Sequence, residues 1–187
     1  MRGYTEMGTQ TIGGTTTWAI DPAHTVAEFA VKHMMVATTK GRFKGVEGTI
    51  TLDEQNPENS SATVTLDVSS VDSGDAKRDG HLTSPDFFDA ATYPTITFKS
   101  TKVHGAGDTF HVHGDLTIRD VTKPVVLEVG RLGGGKTPFG TEIIAYEAKT
   151  KINRKDFGLS WNAALETGGV LIGEEIKIAI DIETVKQ

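Results

Sequence analysis

The stretch IKIAIDI, residues 176–182, carries an isoleucine at every second position. Successive side chains of a β-strand point to opposite faces, so this pattern predicts a strand with one apolar and one polar face. The stretch ATVTLDV, residues 62–68, alternates in the same way. Six further segments follow the rule, and a shorter one precedes them: 26–31, 41–53, 94–103, 109–119, 124–131, 141–152, and the short 16–20.

The alternation breaks inside the segment 41–53. Val46, Ile50 and Leu52 share one face, whereas Phe43 falls on the other, and Gly45 lies between Phe43 and Val46. A β-bulge at Gly45 would turn Phe43 inward and bend the strand, which is how long strands curve around a barrel.

The short connections between these segments favour antiparallel neighbours. Residues 105–108, Gly-Ala-Gly-Asp, are typical of a hairpin turn between two of them. Eight long strands with one apolar face each can close into a barrel or pack as a sandwich. Segments of this length favour the barrel, so we predict an all-β fold, an antiparallel eight-stranded barrel.

Residues 72–90 do not alternate. Asp72 or Ser73 could cap a short helix, and Ser84-Pro85 is typical of a helix N-terminus with proline in the first turn. We therefore predict a short helical crossover at residues 75–89, lying against one end of the barrel.

Length and composition limit the possible functions. The chain has 187 residues, no cysteine and a net charge of −6. The charge argues against nucleic acid as a partner, and the absence of cysteine excludes a disulfide scaffold. The longest apolar runs are far shorter than the roughly 20 residues of a transmembrane helix, so no transmembrane segment is predicted.

The N-terminus is polar. Residues 1–14 lack the apolar run of a secretory signal, which predicts a cytoplasmic protein, and Met7 is an alternative start. We expect a polar tail at 1–14 and a single domain at 15–187.

Two motifs suggest chemistry that their context does not support. The stretch GRLGGGKT, residues 130–137, matches a phosphate-binding loop, but Pro138 and Gly140 follow where a helix would have to begin. His111 and His113 share a strand face with His104 across the hairpin. Phe110 and Val112 occupy the opposite parity, so these histidines should face solvent, and we predict no metal site.

Several short motifs occur together and in a fixed order. Through them the chain, from about residue 16 to 184, resembles the YceI-like family of polyisoprenoid-binding proteins. The motifs are Trp18-Ala-Ile-Asp21-Pro-Ala-His24, Lys32-His33, Gly41-Arg-Phe43, Lys77-Arg78-Asp79-Gly-His81-Leu82-Thr-Ser84-Pro-Asp86-Phe87-Phe88, Tyr93-Pro94, Phe98-Lys-Ser100, Gly114-Asp-Leu116-Thr117-Ile118 and Asn153-Arg154-Lys-Asp-Phe157-Gly158.

The resemblance implies a lipocalin-like barrel with an internal tunnel for a polyprenyl chain, as found in polyprenyl pyrophosphates and isoprenoid quinones. The helical crossover would lie near the tunnel mouth. The family supplies no catalytic residues, so we expect a soluble lipid-binding protein with no enzymatic activity and no cofactor besides a bound polyisoprenoid lipid.

The tunnel lining follows from the inward parity of the strands and from the crossover. The predicted lining is Phe29, Val31, Phe43, Val46, Ile50, Leu66, Val68, Leu82, Phe87, Phe98, Leu116, Ile118, Leu127, Tyr146, Trp161 and Ile178. Arg78, His81 and Arg154 are the candidates for a polar headgroup at the mouth, although each could instead hold the crossover on the barrel.

Two other functions stay open at this point. The first is an enzyme that acts on an isoprenoid or another hydrophobic substrate, with His24, His81 or Arg78 in the chemistry. The second is a stress-related structural barrel without a ligand, because an inward apolar face is also that of a packed core. The sequence is compatible with both a monomer and a homodimer.

Overall fold

The computed structural model describes residues 14–187, so residues 1–13, with nearly all of the predicted polar tail and both candidate starts, lie outside the described residues. One short α-helix and eleven β-strands are present in the described part. The helix is α1 (Ala76–Thr83). The strands are β1 (Thr16–Ile20), β2 (Val26–His33), β3 (Ala37–Phe43), β4 (Val46–Leu52), β5 (Ser61–Asp67), β6 (Val71–Asp72), β7 (Thr95–Ala106), β8 (Thr109–Ile118), β9 (Val121–Lys136), β10 (Glu142–Asn153) and β11 (Ile172–Lys186).

All strand pairs in this sheet are antiparallel, and the sheet closes on itself. The order is β1-β4-β5-β7-β8-β9-β10-β11, and β11 pairs again with β1. The pairs β1/β2, β3/β4 and β5/β6 are each one long strand interrupted by a short turn or bulge, which leaves β2, β3 and β6 on the same ring of neighbours. The predicted eight-stranded antiparallel barrel is confirmed.

The bulge predicted at Gly45 separates β3 from β4. The amides of Lys44 and Gly45 leave the ladder and donate hydrogen bonds to Ser70 Oγ, at 3.2 and 2.9 Å. Phe43 and Val46 are consequently both buried, at 5% and 1% exposure. The extra residues restore the inward face, as the parity of the sequence predicted.

The crossover is shorter and differently capped than predicted. Asp75, and neither Asp72 nor Ser73, caps α1 by accepting a hydrogen bond from the Arg78 amide at 2.9 Å. Ser84 ends the helix, because its hydroxyl donates to the His81 carbonyl at 2.6 Å, so no second helix begins there. Residues 85–88 form turns that bring Phe87 into the core.

The barrel has two different ends. We call the helix end the one where α1, the β2–β3 turn and the loop 158–171 meet, and the far end the one with the β9–β10 turn. Most of the core lies towards the helix end, and a second cluster of Trp18, Ile144 and Tyr146 packs near the far end. The longest helix of residues 14–187 has eight residues, and none has the length and apolar character needed to cross a bilayer.

Candidate functional site

The barrel encloses an apolar cavity of about 490 Å³. This volume is in the range of small-molecule binding sites. The wall residues come from every long strand, from α1 and from the loop that contains Trp161. All but one of the sixteen residues predicted to line a tunnel border this cavity: Phe29, Val31, Phe43, Val46, Ile50, Leu66, Leu82, Phe87, Phe98, Leu116, Ile118, Leu127, Tyr146, Trp161 and Ile178.

Val68 is the exception and corrects the predicted lining. It is buried, at 1% exposure, but it lies in a 3-10 turn after β5 and does not border the cavity. The Asp67 carboxylate accepts hydrogen bonds from the Ser69 amide and hydroxyl, at 2.9 and 2.7 Å, and ends the strand one residue before Val68. Alternation therefore no longer determines where Val68 points.

The cavity wall also contains apolar residues beyond the predicted set. Most lie on the inward parity of the predicted strands, so the same alternation would have found them. They include Ile20, Ala27, Leu52, Ala62, Val64, Ile96, Val103, Phe110, Val112, Val125, Val129, Ala148, Ile152, Ile176, Ile180 and Ile182. Leu159 and Leu171 come from the loop 158–171 and carry no periodic signal.

Aromatic rings line the cavity at the helix end. Phe43 contacts Phe29 and Phe88, with ring centroids 5.7 and 5.5 Å apart. His81 and Trp161 form an edge-to-face pair at 4.6 Å, which places the loop 158–171 against α1. Contacts of this geometry stabilise aromatic pairs, so the rings are held in a defined arrangement at this end of the cavity.

Polar side chains reach the cavity at the helix end. Arg78 is exposed and borders the cavity, and its Nη1 lies 3.4 Å from the Ser73 carbonyl oxygen. His81 also borders it, with Nε2 2.9 Å from Asp86 Oδ2. Because Arg78 is at once exposed and part of the wall, the cavity opens to solvent here. At the far end Ser60 and Ser61 border the same cavity.

Arg154 borders the cavity too, but its donors are engaged. It is 3% exposed, and burial lowers the pKa of its guanidinium. The guanidinium donates to the carbonyl oxygens of Gly173, Leu159, Trp161 and Ile172, at 2.8, 2.5, 2.9 and 3.4 Å. The structure thus favours the second role considered for Arg154: it holds the loop 158–171 on the barrel rather than a headgroup.

A titratable cluster lies outside the cavity, at the turn between β1 and β2. His24 Nδ1 is 2.8 Å from Asp21 Oδ2 and 3.6 Å from Glu183 Oε1. The hydrogen bond that the protonated His24 ring donates to Asp21, followed by the charge of Glu183, raises the pKa of His24, and the same hydrogen bond lowers the pKa of Asp21. These atoms could also hold a metal ion. The sequence prediction missed Glu183, which is distant in the chain.

The other two motifs lie on strands. The first seven residues of the motif 130–137 belong to β9, and the chain turns into β10 without a helix, so no phosphate-binding loop forms. His104 and His111 are cross-strand partners on the outer face of the hairpin, as predicted. His104 Nδ1 lies 3.6 Å from Glu58 Oε1.

Comparison with known proteins agrees with the fold. The family model of the YceI-like domain matches residues 18–184. The Protein YceI of Escherichia coli O17:K52:H18 (strain UMN026 / ExPEC) is 38% identical over 164 residues, which cover 88% of this chain and 83% of that protein.

Solved structures share the barrel. BcnA of Burkholderia cenocepacia superposes with a TM-score of 0.77 and 27% identity, covering 88% of this chain and 98% of BcnA. A polyisoprenoid binding domain from Saccharophagus degradans, implicated in plant cell wall breakdown, gives a TM-score of 0.68 at 18% identity. That match covers 92% of this chain and 99% of the domain, and at this identity it shows the fold alone.

Proposed function

The chain belongs to the YceI-like family, and from this premise we propose that it binds a polyisoprenoid lipid inside its barrel. A polyprenyl pyrophosphate or an isoprenoid quinone is the expected ligand, and the protein would sequester or carry it without transforming it. One observation carries the proposal, namely the hollow, almost entirely apolar interior of about 490 Å³. The fold shared with the polyisoprenoid binding domain of Saccharophagus degradans supports it.

The energetics favour a hydrocarbon chain. Each isoprene unit has five carbons, and transfer of each from water to an apolar wall contributes about 0.8 kcal/mol, or about 4 kcal/mol per unit before association costs. Several units therefore suffice for tight binding without any polar contact. Binding of this kind suits a cavity wall that is almost entirely apolar.

The length of the cavity limits the part of a chain that can lie extended. On β8 the wall runs from Phe110 to Ile118, nine residues that span eight residue-to-residue steps along the strand. At about 3.3 Å per residue and a strand tilt near 40°, this is about 20 Å along the barrel axis. An isoprene unit of four carbon–carbon bonds advances about 5 Å. About four extended units fill this length, and longer chains must fold back or protrude.

Arg78 and His81 are the residues that we propose to meet the headgroup. Both border the opening at the helix end, and within residues 14–187 the Arg78 side chain makes one long hydrogen bond, to the Ser73 carbonyl. A guanidinium binds a pyrophosphate through paired charge-assisted hydrogen bonds, whereas a quinone offers only neutral carbonyl oxygens. The Arg78→Gln variant should therefore weaken binding of a prenyl pyrophosphate more than binding of a quinone.

The proposal is tested by solvent extraction of the purified protein and mass spectrometry of the extract. A prenyl compound recovered in stoichiometric amount supports it, as does uptake of an added prenyl quinone or prenyl phosphate by the extracted protein. A clean extract together with no uptake of either compound contradicts it and favours a structural barrel without a ligand.

Two neighbouring residues give a matched pair of variants. Leu127 borders the cavity, whereas Val126 on the same strand faces solvent, at 40% exposure. Leu127→Trp fills part of the hollow and should weaken uptake of long prenyl chains, and Val126→Trp adds the same ring outside and should leave uptake unchanged. Equal uptake by both variants would place the ligand outside the barrel.

The enzyme alternative makes a different prediction for the same sample. Incubation with a prenyl pyrophosphate should return the compound unchanged if the protein only binds it. Release of phosphate or a new prenyl product, lost in a His81→Phe or Arg78→Gln variant, would favour the enzyme.

A further inference from the structure

The β2–β3 connection is a tight turn with an unusual pair of residues. The Val36 amide donates to the His33 carbonyl at 3.2 Å, and the two central residues, Met34 and Met35, have φ values of 51° and 61°. Positive φ at both central positions defines a type I′ turn, for which asparagine followed by glycine is strongly preferred. Methionine has a Cβ that disfavours this conformation.

The same turn exposes apolar side chains to solvent. Met34, Met35 and Val36 are 47%, 59% and 79% exposed. These residues thus combine two unfavourable features: Met34 and Met35 adopt a backbone conformation that methionine disfavours, and all three apolar side chains are exposed to water. A local violation of this kind is expected at functional positions, where another interaction compensates for it.

A row of lysines crosses the outer wall of the barrel at Ala30, four residues before Met34 of the turn. Lys177, Ala30 and Lys40 are successive cross-strand partners on β11, β2 and β3, and Lys151 on β10 extends the row. Lys32 lies two residues before the turn. Among the described residues, Lys151 pairs with Glu175 at 3.8 Å, whereas Lys32, Lys40 and Lys177 make no ion pair.

Acidic residues also lie near this turn: Glu166 belongs to the loop 158–171, whose Gly169 lies against Met35. Glu174 is engaged by Lys155, and Glu28 lies in the adjacent cross-strand row, opposite Arg42. The face beside the turn still carries three lysines, Lys32, Lys40 and Lys177, that form no ion pair among residues 14–187, in a chain with a net charge of −6. An apolar tip with lysines beside it is complementary to the surface of an anionic bilayer, where side chains enter the interface and ammonium groups meet lipid phosphates.

The turn is continuous with the opening of the cavity. The Met34 amide donates to the Leu171 carbonyl at 2.8 Å, and Leu171, His33 and Thr39 all border the cavity. A bilayer that covered the turn would therefore also cover the opening at the helix end. A prenyl chain could then pass between membrane and barrel without crossing water.

We propose that Met34, Met35 and Val36, with Lys32, Lys40 and Lys177, dock the helix end on an anionic lipid bilayer. The reason for docking rests on the proposed function, since the ligand would come from the membrane. The docking itself is measured without any ligand.

The test uses the full chain and vesicles of phosphatidylcholine and phosphatidylglycerol at about two to one. The wild-type protein should co-sediment with them, and binding should fall when salt rises from about 0.05 to about 0.5 M. The variant Met34→Asn/Met35→Gly should bind at least about tenfold more weakly, because two apolar side chains are lost. Its melting temperature should not fall, because the new residues suit the turn.

The far end supplies the control. Leu132 and Phe139, near the β9–β10 turn, are 62% and 95% exposed, and neither borders the cavity. Leu132→Asn/Phe139→Asn should bind the vesicles like the wild-type protein. Lys40→Gln/Lys177→Gln should bind these anionic vesicles several-fold more weakly. Wild-type protein that ignores the vesicles, an unchanged Met34→Asn/Met35→Gly variant, or loss of binding in the far-end variant instead overturns the docking.

A second measurement separates this inference from the proposed function. Uptake of a detergent-solubilised prenyl quinone should be equal in the wild-type protein and in Met34→Asn/Met35→Gly. Normal uptake with no vesicle binding by the wild-type protein would refute docking and leave lipid binding intact. Vesicle binding with no uptake would refute the ligand and leave the docking surface intact.

Discussion

Phe29 and Gly41 face each other across β2 and β3, and the ring of Phe29 occupies the space that a side chain at position 41 would need. A Cβ at position 41 would lie 2.3 Å from Cζ of Phe29. The glycine therefore lets the ring lie against the barrel wall, where it borders the cavity. Without that space, the ring would have to stand in the hollow.

Gly41→Ala should accordingly narrow the cavity near the helix end. The three atoms nearest the new Cβ all belong to the Phe29 ring, so we expect the ring, rather than the backbone, to move away. We expect the free energy of unfolding to fall by about 1–3 kcal/mol, as in other overpacked cores, and prenyl affinity to fall about tenfold. Chemical denaturation and titration with a prenyl quinone measure the two effects.

Gly135 provides the matched control, because a Cβ there would meet nothing within 4 Å. Gly135→Ala should change neither quantity. Adding Phe29→Leu to Gly41→Ala should restore affinity, since the smaller side chain no longer competes with the ligand. Unimpaired binding by Gly41→Ala alone would show that the ring does not enter the hollow.

Arg154→Lys should release the loop 158–171. A lysine keeps the charge, but its single ammonium group cannot reach the four carbonyl oxygens to which the planar guanidinium donates. Each buried carbonyl left without a partner costs about 1–3 kcal/mol. We expect the free energy of unfolding to fall by about 3 kcal/mol, with faster amide exchange in residues 159–173.

Lys155→Ala controls for that substitution, because Lys155 forms an exposed ion pair with Glu174 next to the same turn. Such pairs contribute less than about 1 kcal/mol. If Arg154→Lys is as stable as Lys155→Ala, the carbonyl contacts do not hold the loop, and Arg154 returns as a headgroup candidate.

The stability of the β1–β2 turn should fall as pH rises from 6.5 through the folded-state pKa of His24. Asp21 and then Glu183 raise the pKa of His24 above its ordinary value of 6.5. A pKa raised by folding means that the ion pair stabilises the protein fully below pH 6.5 and ceases to do so as pH rises through the folded-state pKa. NMR titration of the His24 ring should give a pKa above 6.5.

Variants separate the two carboxylates in that cluster. Asp21→Asn removes the larger cause and should lower the pKa of His24 more than Glu183→Gln does. Equal pKa values in the wild-type protein and in Asp21→Asn would mean that the 2.8 Å contact does not persist in solution.

Much of the barrel could be predicted because side-chain alternation is local. The inward position of Phe43 was predicted from a bulge at Gly45, and the wall residues on the long strands follow from the alternation of side chains. The prediction for Val68 was wrong because the Asp67 carboxylate accepts hydrogen bonds from Ser69 and ends the strand, which a periodic pattern does not register. The predicted N-cap of α1 was also wrong, because Asp72, Ser73 and Asp75 are equally suitable by residue type and the sequence does not distinguish them.

The remainder of the site depends on contacts between distant segments. The sequence did not show whether the inward side chains fill the barrel, because that depends on the barrel radius and on where rings such as Phe29 lie. The partners of Arg154 are carbonyl groups of a loop with no sequence signal. Glu183 joins His24 only because β11 passes beside the β1–β2 turn.

Binding of prenyl compounds should raise thermal stability in a manner that depends on chain length. A ligand at a hundred times its dissociation constant stabilises the folded state by about 2.7 kcal/mol, which for a domain of this size raises the melting temperature by about 5–10 °C.

Affinity should increase steeply with each added isoprene unit up to about four, because each buries more hydrocarbon in the hollow. Beyond that length the gain per unit should fall, since further units no longer fit extended along the roughly 20 Å of wall. In Leu127→Trp the plateau should move to shorter chains, whereas in Val126→Trp it should stay. A melting temperature indifferent to every prenyl compound would mean that the hollow takes no such ligand, and an affinity that rises without a plateau would mean that the chain lies along an open surface.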